Sequence, residues 1–426
     1  MGNICIASAF TGNDAYFVLK NSVFPRYFMQ GDFYGRPLTD LYQFRSPREK
    51  LLSQYVANAQ LRPLSKEMFG PTPPNIFVGR VGYPSVYVGP LVGIDEGIDA
   101  QLYDDPKRWY GMPLEEIVKF RSSLVRGKKL EHVKKSRQLY DLQDSVLSRK
   151  AVDMEVRFKK IPTMGIYFHN TFQPMGPTAE YENLRLASNP SIPKKVDSVV
   201  SEGLLAREGF EELMKHKFDV YYLQKLLSAG MLGKEESKRL VPTRWSITAA
   251  DKMAADIHIE NLKRHKPLGE ILIFSNEYLS NHFEIILLPG HWEFEQFENW
   301  EGGNYYNKGG EWFLEHEYEP YGGRGDYAAS EGGGYYAGRL SASEYLAQVM
   351  RRQARVVVIR EIHKEYDVPV GVWEIRENVR HAFQKEPVRC PTLGDALEVL
   401  KFKLRNPPET YFQKSKILPQ RKLMDF

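Results

Sequence analysis

Three groups of residues in this 426-residue chain have types and spacings that could do chemistry. The first is His291, Glu293 and Glu295. Alternate residues of a β-strand share a face, so on a strand one imidazole and two carboxylates would converge. Such a set could hold Mg²⁺ or Mn²⁺ for phosphodiester cleavage. On a helix the same run would instead align Glu295 with Glu298. The plainer alternative is a solvated acidic edge over aromatic packing.

The second group is Gln420, Leu423, Met424 and Phe426. A glutamine, an aliphatic residue three positions on and an aromatic three beyond that form the spacing of a short sliding-clamp-binding peptide. If residues 423–426 close one 3₁₀ turn, Leu423 and Phe426 eclipse and can fill one apolar pocket. The Gln420 amide can then bond to backbone groups at its rim. Pro407 and Pro408 stop the preceding helix, and Pro419 precedes the motif. Lys414, Lys416, Arg421 and Lys422 face only Glu409 and Asp425 in this stretch, so a flexible basic tail is expected over 407–426. The competing arrangement folds Leu423 and Phe426 back onto their own domain.

The third group is basic. From Lys119 to Lys150 there are ten Lys or Arg and three acidic residues. Carried on exposed helices, such residues displace counterions from DNA and bind it without regard to sequence. Lys128, Lys129, Lys134 and Lys135 are the central candidates, against the alternative of a solvated helical face. Arg244 could grip a phosphate while Trp245 stacks a base. Alternatively Trp245 is a core anchor and Arg244 pairs with a carboxylate such as Asp251. Arg351 and Arg352, with Arg355 and Arg360, form a second basic cluster, whose alternative is ion pairing with Glu361, Glu365 or the preceding helix.

Other chemistries are excluded or unsupported. No Gly-Lys pair is followed by Ser or Thr, and the glycines at 79, 82 and 89 have the wrong spacing for a dinucleotide fingerprint. Cys5 and Cys390 are the only cysteines, too few for a disulfide framework or a cysteine-based zinc site. A reducing cytosol is the natural compartment. The ten histidines are dispersed, and no Ser-His-Asp constellation emerges from spacing. Tyrosines within 302–336 could stack bases, but acidic residues outnumber basic ones there, which favours a structural or autoinhibitory loop.

The elements that must position these groups read as follows. Hydrophobic residues are 42%, enough for real cores, and the length suggests two or three domains. No apolar run approaches bilayer length. A helix is expected over 46–60, a hairpin over 76–91, mostly helical text over 113–150, strand-like text over 151–172, and helices over 210–230 and 246–264. Strands follow at 270–274 and 283–288, a long helix at 335–353, a strand at 355–360 and a last helix at 392–405. This mixture predicts an α+β fold, or an irregular α/β one. It also predicts a larger N-terminal domain and a smaller C-terminal one. The divisions are 1–70 as an extension with one helix, 71–301, a Gly- and Tyr-rich seam at 302–334, 335–406, and the tail 407–426.

Ordered blocks of text resemble the archaeal Nre family, DNA-repair-associated proteins that carry a C-terminal motif for the sliding clamp PCNA. The blocks are Phe77-Val78-Gly79-Arg80, Gly82-Tyr83-Pro84, Val88-Gly89-Pro90-Leu91 and Pro242-Thr243-Arg244-Trp245-Ser246-Ile247-Thr248-Ala249. They continue with Leu287-Leu288-Pro289-Gly290, Trp292-Glu293-Phe294-Glu295, Gly333-Gly334-Tyr335-Tyr336-Ala337, Gly371-Val372-Trp373 and Gln420 to Phe426. They span most of 70–426. The family's N-terminus often has a cysteine cluster resembling a zinc site. Residues 1–60 here hold only Cys5, so no thiolate zinc site is available and none is carried over.

The resemblance implies a DNA repair factor, non-enzymatic or weakly enzymatic, recruited to damaged DNA through PCNA with sequence-independent DNA contacts. Other repair proteins are further possible partners, no membrane is expected, and the setting is cytoplasmic and nucleoid-associated. No cofactor is expected. The alternative is a metal-dependent nuclease using Glu293 and Glu295 with Mg²⁺ or Mn²⁺.

Overall fold

The computed structural model describes residues 47–57, 61–134, 139–163, 165–168, 173–303 and 307–419. The fold is α+β, with two separate sheets in two compact units, the N-terminal one the larger. The first unit comprises the described residues up to Asp104, Lys119–Phe168 and Pro174–Ser246. The second comprises Asp105–Val118, Gln173 and the described residues from Ile247 onward.

The first unit begins with α1 (Pro47–Ala57), which buries Leu52 and Val56. Its sheet contains β1 (Glu67–Thr72), β2 (Phe77–Val78), β3 (Ser85–Gly89) and β4 (Leu91–Gly93). Next along the chain come α2 (Pro106–Trp109), which belongs to the second unit, and α3 (Leu114–Ser122), which spans the division. β5 (Leu124–His132), α4 (Tyr140–Leu147), β6 (Val152–Phe158) and β7 (Thr178–Leu186) return to the first unit. The strand order is β1-β6-β7-β5-β3-β2, with β4 also paired to β5. Only the β5–β7 pair is parallel. Alternation along β6 buries Val152, Met154, Val156 and Phe158 and turns Asp153, Glu155 and Arg157 outward.

Helices α5 (Lys194–Ser201), α6 (Ala206–Lys215) and α7 (Val220–Ser228) complete this unit. Asp219 caps α7 by accepting from the Tyr222 N–H at 2.9 Å. Tyr222 donates its hydroxyl to the Leu147 carbonyl at 2.5 Å, and Gln143 Nε2 donates to the Ala229 carbonyl at 3.0 Å. These two bonds fix α4 against α7. α8 (Thr243–Leu262) starts in the first unit and continues into the second.

The second unit is built on β8 (Ile271–Tyr278), β9 (Asn281–Leu288), β10 (Glu293–Trp300), β11 (Phe313–Glu319), α9 (Gly333–Tyr345), β12 (Arg355–Ile362), α10 (Trp373–Ala382) and β13 (Val388–Cys390). α11 (Leu393–Lys403) and α12 (Pro408–Lys414) complete it. The sheet order is β11-β10-β12-β9-β8-β13. β12 is buried along its whole length, parallel to β10 and antiparallel to β9. This explains why Val356, Val357, Val358 and Ile359 read as one apolar run rather than an alternation.

α9 and α10 cover one face of this sheet. There Gly338 lets the Gln296 side chain lie against the α9 backbone, because a Cβ would collide with it. On the other face Ile273, Ile286, Phe297, Val357 and Ile359 pack against Leu400, Leu404, Tyr411, Ile417 and Leu418.

Several expectations are corrected. Residues 113–150 are not mostly helical, because the basic run Lys128–Lys129 lies in the middle of strand β5. Within 302–334, Phe313–Glu319 form an edge strand of the second sheet. The compact units divide near Ser246. The tail is not free from 407 onward: α12 is helical and Tyr411, Ser415, Ile417 and Leu418 are buried. Residues 1–46, Lys135 and Gln420 to Phe426 lie outside the described residues.

Candidate nucleic-acid interface

Two sequence blocks meet in the first unit. Thr243, just ahead of Arg244-Trp245, accepts a hydrogen bond on Oγ1 from the Val78 N–H at 2.9 Å. β2 is thereby tied to the start of α8. The hairpin after β2 is closed by Gly79 N–H to Tyr87 O at 2.7 Å and Ser85 N–H to Gly82 O at 3.0 Å. Gly82 has φ +82°, a conformation that favours glycine. The hairpin carries Tyr83, whose ring lies 5.2 Å from that of half-buried Trp245.

Next to this hairpin, rings and cations are interleaved. The Arg126 guanidinium sits 4.1 Å over the Phe77 ring and the Lys128 ammonium 5.3 Å over the Tyr87 ring. Arg126 and Lys128 are two residues apart on β5 and share a face by strand alternation. Tyr87 stands directly opposite Leu130, which is 57% exposed. Across β7, Glu180 receives a hydrogen bond from Lys159 at 2.9 Å, which, aided by nearby Lys128, holds its carboxyl below the ordinary range. Glu180 stands opposite Lys128 in the β5–β7 pair and bonds to Lys159. An aromatic and cationic sheet face of this kind can stack bases and contact phosphates.

The structure separates the remaining basic candidates. Lys129 points to the opposite side of β5 from Lys128 and lies 3.6 Å from Glu131. Lys134 is exposed past the end of β5, its N–H donating to His132 Nδ1 at 3.2 Å. Arg244 is exposed beside Trp245. Asp251, considered as a partner for Arg244, instead receives two hydrogen bonds from Arg376 at 3.0 and 2.6 Å.

Arg351 and Arg352 are exposed in the second unit, at the end of the helical segment that follows α9, with Arg351 in a left-handed conformation. Their neighbours Arg355 and Arg360 are buried. Arg360 pairs with Glu298 at 2.8 Å and Glu374 at 3.5 Å, not with Glu361 or Glu365. Phe77 and Tyr87 were not picked out by sequence reasoning, and Arg126 entered only as one of the ten basic residues of 119–150. The signal lay in the alternation of Ser85–Gly89 and Leu124–His132, which turns Tyr87, Arg126 and Lys128 to one surface.

The metal expectation is corrected. His291 lies two residues ahead of β10, outside the strand, so the alternation does not extend to it. It is exposed, with its ring against Tyr321. Burial pushes the Glu293 carboxyl up despite nearby Arg355. Glu295 is fully buried and fully engaged: His316 Nε2 lies 2.7 Å from it, the N–H groups of Lys416 and Ile417 donate at 2.5 and 3.3 Å, and the Ser415 hydroxyl donates as well. Arg355 adds a bond to the Ile417 carbonyl. Glu295 thus holds residues 415–417 in place. Among the described residues no three His, Cys, Asp or Glu side chains are placed to hold a metal ion. Among them also, no helix is long and apolar enough to cross a membrane.

Comparison with known proteins identifies the group to which the chain is similar. The family model for archaeal Nre, N-terminal, matches residues 48–307, and that for archaeal Nre, C-terminal, matches 319–426. DNA repair protein NreA of Archaeoglobus fulgidus is 38% identical over 360 residues, covering 84% of this chain and 90% of the relative. DNA repair protein NreB of the same organism is 36% identical over 341 residues, covering 79% and 86%. DNA repair protein NreA of Haloferax volcanii is 36% identical over 342 residues, covering 78% and 81%. No solved structure matches the chain. Matches over both parts of the chain and this degree of identity place it in one group: the protein belongs to the archaeal Nre family.

Proposed function

We propose that this protein is a DNA repair factor, recruited to damaged DNA by the sliding clamp PCNA through Gln420, Leu423, Met424 and Phe426, with sequence-independent DNA contacts from its first unit. The repair role is supported by relatives named DNA repair proteins. The clamp contact is supported above all by the terminal spacing of glutamine, aliphatic and aromatic residues. The Glu295 anchor adds a mechanical argument. The chain is held to the second unit through Leu418, which is buried, and the motif begins two residues later. A short tether of this kind gives a high effective concentration of the body at clamp-loaded DNA, so modest DNA affinity suffices.

Phe426→Ala tests the reading. It should abolish clamp binding in a titration of full-length protein against PCNA while leaving the melting temperature unchanged. Unchanged clamp affinity in that variant defeats the tail assignment.

A further inference from the structure

We infer that the second unit carries its own surface for duplex DNA, with backbone phosphates on Arg264, Lys266, Arg351 and Arg352. This rests on the DNA-contact part of the proposed function and extends it beyond the first unit.

One buried side chain builds the surface. Gln353 donates from Nε2 to the Lys263 and His265 carbonyls at 3.4 and 2.6 Å, and its Oε1 accepts from the Trp292 N–H at 3.2 Å. Its backbone N–H donates to the Lys266 carbonyl at 3.0 Å, and its carbonyl accepts from the Leu268 N–H at 2.7 Å. Residues 263–266, just past the end of α8, are thereby laid beside residues 351–352. The latter follow a wider, π-type turn over Leu346–Met350. Arg351 holds φ +52°, a conformation that costs any residue with a Cβ.

Charge is the second argument. Arg264, Lys266, Arg351 and Arg352 are exposed, and none of the four forms an ion pair with a described carboxylate. Acids nearby along the chain are engaged with other cations: Asp256 with Lys252 and Arg339, Glu270 with Arg389, and Glu344 with Arg380. Arg352 donates from Nη1 to the Arg351 carbonyl at 3.0 Å and keeps its other donors. Lys263 is held by the Tyr321 carbonyl at 2.6 Å and contributes its charge only. A plainer role for such cations is to offset helix C-termini, each of which carries about half a negative charge. The ends of α8 and of the 346–350 turn therefore account for about one cation, and exposed Glu260 for another. Residues 263–266 and 351–352 hold five Lys or Arg, so an excess of about three charges remains.

These segments contain no Phe, Tyr or Trp on which a base could stack. A duplex keeps its base faces covered and presents closely spaced phosphates, which is what a surface of this composition can use.

The test is fluorescence anisotropy of the full chain with a labelled DNA duplex, a single strand and an RNA duplex of equal length, at several salt concentrations. Replacing Arg264, Lys266, Arg351 and Arg352 together by Gln should lower DNA-duplex affinity about tenfold or more at low salt. It should reduce the slope of log affinity against log salt by about three to four. Lys266→Gln with Arg352→Gln should reduce it by about two and covers the case in which the fourfold variant unfolds. Arg351→Lys with Arg352→Lys should keep the parent slope, because a point charge suffices for a phosphate. Melting temperature should stay at the parent value in the double variants. Folded variants with unchanged duplex affinity and slope overturn the inference and leave DNA contact to the first unit. A lower melting temperature with an unchanged slope assigns the cations to the helix ends and likewise overturns it. So does a loss of affinity for PCNA in place of DNA, or tighter binding of the single strand or RNA duplex through the same residues. Failure of the parent chain to bind any of the three at low salt removes the DNA-contact reading itself.

Discussion

Glu295, in the acidic and aromatic strand β10, accepts a hydrogen bond from the Lys416 backbone N–H at 2.5 Å. A residue that reads as a metal ligand is thus a clasp for a segment more than a hundred residues later. The clasp has a stability consequence. Glu295→Ala leaves the Ser415 hydroxyl and the Lys416 N–H without their acceptor and takes one of two acceptors from the Ile417 N–H, and hydrogen bonds to charged groups contribute about 1.5–3 kcal/mol. Thermal unfolding should show a loss of at least that size, and limited proteolysis should reach residues 415–419 before the rest of the second unit. A variant with unchanged melting and an unchanged cleavage pattern would show that residues 415–419 are held by other contacts.

The Thr243–Val78 bond gives a second expectation. Thr243→Val keeps the volume but removes the acceptor for the Val78 N–H and the contact to Ser228 Oγ at 3.3 Å. A loss of about 1–2 kcal/mol is expected by chemical denaturation, together with faster amide exchange at Val78. If Val78 exchange is unaffected, Thr243 does not tie the two sequence blocks together.

Much of this fold was legible in the sequence, and the failures share a cause. Pro47 and the spacing of Leu51, Leu52, Tyr55 and Val56 mark α1 correctly, and the Gly-Tyr-Pro text marks the β2–β3 turn. Val356 to Ile359 mark a strand because an apolar β-branched run fits a sheet buried on both faces. Lys128 and Lys129 misled because a strand carrying charge on both sides looks, in sequence, like a solvated helix. Glu295 misled because its partners, His316 and Ser415 to Ile417, are remote in sequence and two of them are backbone groups. α10 was not seen because Glu374, Arg376 and Asn378 are buried beside Trp373, Ile375 and Val379, in ion pairs and amide bonds that no hydrophobic period reports.

That polar interior makes stability depend on pH. Burial pushes the Glu374 carboxyl up to about 7, although Arg360 and an Asn378 hydrogen bond act in the other direction. The native state therefore holds this proton more tightly than the unfolded chain. Its stabilising contribution is complete below the unfolded carboxylate range and is lost as pH rises through about 7. Burial also raises Glu298 and Glu331, so their contributions run in the same direction. Glu374→Gln removes one titrating group. The melting temperature of the variant should gain on the parent between about pH 5 and about pH 8, by up to about 3 kcal/mol in free energy. A difference that stays flat over that range rules out titration of Glu374.

Glu361 behaves in the opposite sense. Burial opposes its ionisation, but His363, the Arg405 and Asn406 N–H groups and the Tyr411 hydroxyl together hold its carboxyl below the ordinary range. Its contribution is present above the unfolded carboxylate range and is lost as pH falls through the depressed native value. Tyr411→Phe removes one donor at 2.8 Å and a bond to Asn299 at 2.7 Å. It should cost about 1–3 kcal/mol near neutral pH, since Asn299 and Glu361 stay buried. The cost should shrink in acid. A cost that is equal at both pH values would mean that Tyr411 acts through packing alone.

The most direct test of the account compares the affinity of the full chain for PCNA with that of a version truncated after Pro419. Because residues up to Leu418 are held by Glu295 and the core, the truncation leaves the folded body intact. The account predicts that the full chain binds the clamp and the truncated chain does not. Equal binding by both, or by neither, would contradict recruitment through Gln420 to Phe426.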